Sequence, residues 1–173
     1  MGIVFAIIAM TGIVAVSNFA VQFPLSDWWT WGTLTYPVAF LITDLTNRTF
    51  GAAKTRRVVY AGFACAVVLS VWLATPRIAL ASGTAFLIAQ LCDVYAFDRL
   101  RDRSWWQAPL GSSAIAAILD TTLFFSLAFA FTPVPWVTLA MGDVVAKFAM
   151  AAIMLIPYGV LRARLRPAVA TGD

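Results

Sequence analysis

Thr35-Tyr36-Pro37-Val38-Ala39-Phe40-Leu41-Ile42-Thr43-Asp44-Leu45-Thr46-Asn47-Arg48 is the stretch on which the reading of the chain turns. It starts as an apolar segment, becomes polar at Asp44 and Asn47, and runs into a basic loop with Lys54, Arg56 and Arg57. On insertion scales a carboxylate at the centre of a membrane helix costs about 2.5–3.5 kcal/mol, so it must face a partner, a wet cavity or a ligand. The rest of the chain supports a membrane setting. Hydrophobic residues make up 62% and charged residues 12%, where a soluble domain carries about a quarter charged. Mean hydropathy is +0.87.

A hydrocarbon core needs about 20 apolar residues per helix. Six such spans are expected, at residues 3–23, 32–49, 57–75, 79–98, 108–131 and 137–161. This predicts an all-α integral membrane protein, with six transmembrane helices in one bundle. Residues 1–166 form that single domain, and 167–173 a disordered cytoplasmic tail. The first span has no positive n-region, which favours a retained helix over a removed signal peptide. Trp28, Trp29 and Trp31 suit one interfacial belt, and Trp105 and Trp106 the other.

The basic residues are sorted by loop. Arg48, Lys54, Arg56 and Arg57 flank the second connection, Arg99, Arg101 and Arg103 the fourth, and Arg162, Arg164 and Arg166 follow the last span. The odd-numbered connections hold only Arg77. By the positive-inside rule both termini are cytoplasmic. All loops are short, which leaves no room for a soluble catalytic domain, and the basic residues form no soluble face for nucleic acid. The sequence has no histidine and no glutamate, which removes the usual general base and zinc ligand. No cofactor or metal is expected, and an enzyme is disfavoured. Cys65 and Cys92 lie inside spans and read as buried free thiols.

Helical spacing groups the polar residues inside the spans. Thr11, Asn18 and Gln22 share one face of the first. Thr33, Pro37, Phe40, Asp44 and Asn47 line the second, with Arg48 at i+4 offering Asp44 an interfacial partner. Phe86, Gln90, Asp93 and Phe97 line the fourth, and Ser113, Asp120 and Phe124 the fifth. On the sixth, Asp143 and Lys147 are four apart. They form a local ion pair unless Lys147 reaches across to Asp120. Asp98 and Asp102 sit among arginines and read as surface pairs. Asp93 and Asp120 have no local partner. The Phe86–Phe97 face suits a flat polar heterocycle. Rings stack on it, a carboxylate accepts two parallel N–H bonds, and an amide both donates and accepts.

Several motifs resemble the queuosine-precursor transporter family of bacteria. They are Tyr36-Pro37, Phe40 to Arg48, Gly51 and Arg56-Arg57-Val58-Val59, then Ala89 to Val94, Phe97-Asp98-Arg99-Leu100 and Trp105-Trp106. Leu110-Gly111-Ser112-Ser113, Asp120-Thr121 and Phe124-Phe125 complete the series. The resemblance implies a six-helix, multi-pass inner-membrane protein that takes up 7-cyano-7-deazaguanine and 7-aminomethyl-7-deazaguanine. It is similar in architecture to the substrate-binding subunits of energy-coupling-factor transporters.

Joined to the chemistry of the faces, it places Asp93 and Gln90 on the base edge. Asp44, Asn47 and Asp120 shape the rest of the site, with Asn18 a further candidate and Phe40, Phe86 and Phe97 for stacking. The expected partners are a deazapurine solute and the lipid bilayer, with no nucleic acid. A homodimer is left open. A subunit that docks on an ATP-driven module is the alternative, and Gly62/Ala66 is the small-residue face that would serve it. The loop charges predict that a C-terminal fluorescent-protein fusion lights up while a phosphatase fusion at the same point stays inactive. The reverse pattern would overturn the topology.

Overall fold

A computed structural model of the chain describes residues 2–20, 23, 25, 29 and 31–165. Gln22, Trp28, Arg166 and the tail at 167–173, all assigned roles above, lie outside the described residues. Among those described, the regular structure is helical: α1 Ile3–Ala20, α2 Trp31–Thr35, α3 Val38–Phe50, α4 Ala52–Leu73, α5 Pro76–Leu100, α6 Gln107–Phe129 and α7 Trp136–Arg164. Five of these, α1 and α4 to α7, are long and apolar enough to cross a membrane.

The second expected span differs. It is a bent pair, the 5-residue α2 and the 13-residue α3. Pro37 lacks an N–H and its ring crowds the carbonyl four residues back, while the residue before a proline is pushed away from helical geometry. The helix restarts with a tight turn, in which the Ala39 N–H donates to the Tyr36 carbonyl at 2.9 Å and the Phe40 N–H to the Pro37 carbonyl at 3.1 Å. Tyr36 is therefore the elbow of a broken helix. Interrupted helices of this kind line sites in membrane transporters, because freed backbone and polar side chains at membrane depth are tolerated only where protein or a cavity surrounds them.

The other boundaries have local causes. Gly51 has φ +80° and its N–H donates to the Asn47 carbonyl at 2.9 Å. Glycine tolerates this conformation, so α3 stops there and α4 starts one residue later. Thr75 caps α5, its side chain accepting from the Ile78 N–H, with Pro76 at the first helical position. Arg77 donates to the Leu127 and Ala130 carbonyls at 3.0 and 2.6 Å. It thereby satisfies two of the orphan acceptors at the end of α6.

The bundle is built inside out relative to a soluble protein. Val68, Val71, Trp72, Leu80, Met141 and Ile156 face outward, while Thr43, Asn47, Gln90 and Asp93 are 0% exposed. The short α3 is the central element and touches α1, α4, α5, α6 and α7. α5 and α6 form the most extensive helix pair, α1 packs on α4, and α7 rests mainly on α6.

The Gly62/Ala66 face, considered above as a docking surface for an energising module, is buried within the bundle. A Cβ on Gly62 would lie 2.6 Å from the Met10 Cγ of α1, so the glycine is what lets α1 and α4 approach. Gly62→Val should destabilise the protein by about 1–3 kcal/mol through overpacking. Thermal unfolding in detergent measures this. An unchanged midpoint would show that α1 does not pack there.

Candidate functional site

Two polar clusters lie within the bundle. The first joins α3, α5 and α6. Asp44 accepts from the Ser112 hydroxyl at 3.2 Å and from the Ser113 hydroxyl at 3.4 Å. These two serines stand in the first two turns of α6, on the face turned to α3. The Asp93 carboxyl of α5 abuts Asp44 and Ser112, yet among the described residues neither of its oxygens accepts a well-formed hydrogen bond, the Ser112 hydroxyl being aimed at Asp44 and the Pro109 carbonyl. One turn away, the Gln90 side chain meets Thr43 Oγ1 at 2.5 Å and its second polar atom has no partner.

Thr43 Oγ1 also lies 3.0 Å from the Ala39 carbonyl, and a hydroxyl has one proton. At 2.5 Å the contact with Gln90 lies in the range of O–H···O and is too short for N–H···O, so Thr43 donates to the Gln90 carbonyl oxygen and the free atom of Gln90 is its amide nitrogen. With both oxygens of Asp93, this face offers two acceptors and one amide donor.

Asn47 is placed differently. It donates to the Val94 carbonyl at 2.9 Å and accepts from Arg101 Nη2 at 2.8 Å. Arg101 also reaches the Asn47 carbonyl at 3.0 Å and Asp98 at 2.7 Å. Asn47 thus clamps α3 to the end of α5, and Asp98 pairs among its arginines as expected. The Asp44–Arg48 pair weighed above does not form among the described ion pairs. Arg48 is turned towards Tyr158 of α7 instead.

The second cluster joins α6, α7 and the elbow. Lys147 Nζ lies 2.7 Å from Asp120 and 2.5 Å from Asp143, and donates to Thr121 Oγ1 at 3.0 Å. Thr121 Oγ1 donates to Asp143 at 2.6 Å. The Tyr36 hydroxyl donates to Asp120 at 3.1 Å, and the Lys147 ammonium sits 5.7 Å from the Tyr36 ring centroid. Both alternatives for Lys147 are realised at once: the pair within α7 and the bridge across to α6.

A narrow cleft of ≈ 20 Å³ runs between α3, α6 and α7 and connects the two clusters. Asp44, Ser113 and Tyr158 line one end and Lys147 the other, with Phe40 and Met154 also in the lining. That volume suits about one water molecule. Asp93 and Gln90 stand behind Asp44, outside the lining, and Asp120 is reached through Lys147. Phe86 packs at 6.3 Å against the Tyr36 ring and Phe97 at 6.4 Å against Tyr158. Asn18 donates to the Val14 carbonyl of its own helix at 2.9 Å. Ser112, Thr43 and Tyr36 are additions. Tyr36 escaped the helical-face reading because it sits at a break, where that periodicity does not apply.

A model of the family described as "putative vitamin uptake transporter" matches residues 30–75 and 68–161. The chain belongs to this family. It is thus a transporter and not an enzyme, a multi-pass protein of the bacterial inner membrane. Among relatives of this vitamin-uptake type, the queuosine precursor transporter of Escherichia coli (strain K12) is 35% identical, over 86% of this chain and 81% of that protein. A probable queuosine precursor transporter of Haemophilus influenzae is 34% identical over the same shares. A third, from Bacillus subtilis (strain 168), is 27% identical over 80% of this chain and 73% of its own length. No solved structure matches.

Lys147→Met leaves Asp120 and Asp143 buried without their counter-charge, which should cost about 3 kcal/mol of stability. Adding Asp120→Asn and Asp143→Asn should recover most of it. A single variant as stable as the wild type would show that the pair does not hold α7.

Proposed function

We propose that the protein is an inner-membrane uptake transporter for queuosine precursors, 7-cyano-7-deazaguanine and 7-aminomethyl-7-deazaguanine. In this reading it crosses the membrane six times, the bent α2–α3 pair supplying the second crossing, with both termini cytoplasmic. The observation that carries it is the fully buried Gln90–Asp93 face, where the Gln90 amide nitrogen and both Asp93 oxygens have no hydrogen-bond partner among the described residues. Buried polar groups are nearly always hydrogen-bonded, and an exception of this size needs an explanation. A guanine-like edge supplies it, because N1–H and the exocyclic amine are adjacent donors. The names of the two relatives that are 35% and 34% identical support the same solute.

The roles follow from position. Asp93 and Gln90 take the base edge. Asp44 forms the wall between them and the cleft, Asn47 holds α3 in register, and Asp120 fixes Lys147 at the far end. Phe40 is the stacking ring nearest the cleft, with Phe86 and Phe97 behind it, and Asn18 contributes from α1. A bicyclic base is several times larger than the water-sized cleft, so transport requires α7 to move from α3 and α6. The alternative, a subunit that needs an ATP-driven module, loses the support of its Gly62/Ala66 face, which α1 covers.

Cells that cannot make the precursor should regain queuosine in tRNA when supplied with this protein and external precursor. Asp93→Asn should lower that recovery at least about tenfold, as expected when a buried site loses its acceptor pair, with membrane levels unchanged. Asp102→Asn, exposed just past the end of α5, should have little effect. No recovery by the wild type would refute the solute assignment, and full recovery by Asp93→Asn would remove Asp93 from the site.

A further inference from the structure

The first cluster is short of positive charge. Asp44 and Asp93 are 3% and 0% exposed and lie against each other. Two weak serine hydrogen bonds reach Asp44, and beside Ser112 the Asp93 oxygens accept no well-formed hydrogen bond from the described residues. Among the described residues no cation pairs with either carboxylate: Arg48 is turned to Tyr158, Arg101 holds Asn47 and Asp98, and Lys147 holds Asp120 and Asp143. The remaining titratable neighbours are Tyr158 from α7 and Cys92 from α5, and neither brings positive charge. α6 contributes only serine hydroxyls. Two like charges in contact, out of water, repel strongly.

We infer that Asp44 and Asp93 together bind one monovalent cation, a proton or Na⁺, and that this cation moves with the solute. The ligand set is oxygen only: the two carboxylates with the Ser112 and Ser113 hydroxyls. Hard cations prefer such sets. One positive charge relieves the repulsion and leaves one unit of negative charge, so an oxygen of Asp93 remains an acceptor for the base edge. Cation and solute then strengthen each other's binding by the same factor. Co-transport rests on the proposed function; the cation site itself does not.

The test begins without solute. The thermal midpoint of the detergent-purified full chain is measured in NaCl and in choline chloride between pH 6 and pH 8. A bound proton predicts a midpoint that rises as pH falls and ignores Na⁺. Bound sodium predicts a midpoint that rises with Na⁺ and not with choline. At a tenfold excess of ion over its dissociation constant the rise is about 3–5 °C. No response to either ion overturns the inference.

Asp44→Asn places an amide donor beside Asp93 and should flatten the response, and Asp93→Asn gives the same result should the first variant fail to fold. A response retained in both overturns the assignment. In proteoliposomes, an inward gradient of the identified ion should concentrate labelled 7-cyano-7-deazaguanine above equilibrium. Exchange of the label without accumulation overturns the coupling. Absence of any exchange overturns the solute assignment and leaves the cation site standing on its midpoint shift.

Discussion

The ammonium of Lys147 holds the carboxylates of Asp120 and Asp143, and the bundle's most loosely seated helix depends on it. α7 rests mainly on α6, and its outer face is apolar. Between helices in lipid there is little hydrophobic driving force, so orientation comes from packing and polar contacts. Lys147, with Thr121, fixes the rotation of α7 about its axis, because any other rotation leaves a charge in oil. Through Asp120 the same cluster reaches Tyr36 and holds the elbow of the broken helix in place. One cation thereby sets the positions of α6, α7 and the start of α3, and with them the walls of the cleft.

The two ends of that cleft have opposite character. At the Lys147 end, charges are paired and hydrogen-bonded, and they lock structure. At the Asp44 end, acceptors outnumber donors and nothing balances them. The contrast separates a satisfied cluster from an unsatisfied one. A buried network that is fully satisfied rigidifies its surroundings, while an unsatisfied one costs free energy until something binds. Under the proposed function the water-sized cleft between them is a closed arrangement, which a bicyclic solute enters as α7 and α3 part.

Particular residues show where sequence reading succeeds in a membrane protein. Gln90 and Asp93 were legible because both lie on one uninterrupted helix, so a spacing of three places them on one face. Lys147 and Asp143 were legible for the same reason. Asp44 and Arg48 obeyed the same spacing and still did not pair, because Ser112 and Ser113 of another helix supply Asp44 with donors and Arg48 turns to Tyr158. Gly62 is a further case. A small-residue face fits an internal helix contact and an external one equally well, and only Met10 across from it settles which.

Composition, apolar span length and helical period were enough for the sequence alone to determine a helical membrane bundle with acids and amides turned inward. Those properties are local, since lipid requires every backbone group to be satisfied within its own helix. The tertiary structure decided which inward faces meet. It bent the second span at Pro37, brought Ser112 to Asp44 across two helices, gave Lys147 two carboxylates, and left Asp93 with none of the available cations. These are contacts between helices far apart in sequence, and a period along one helix holds no information about the rotation of the next.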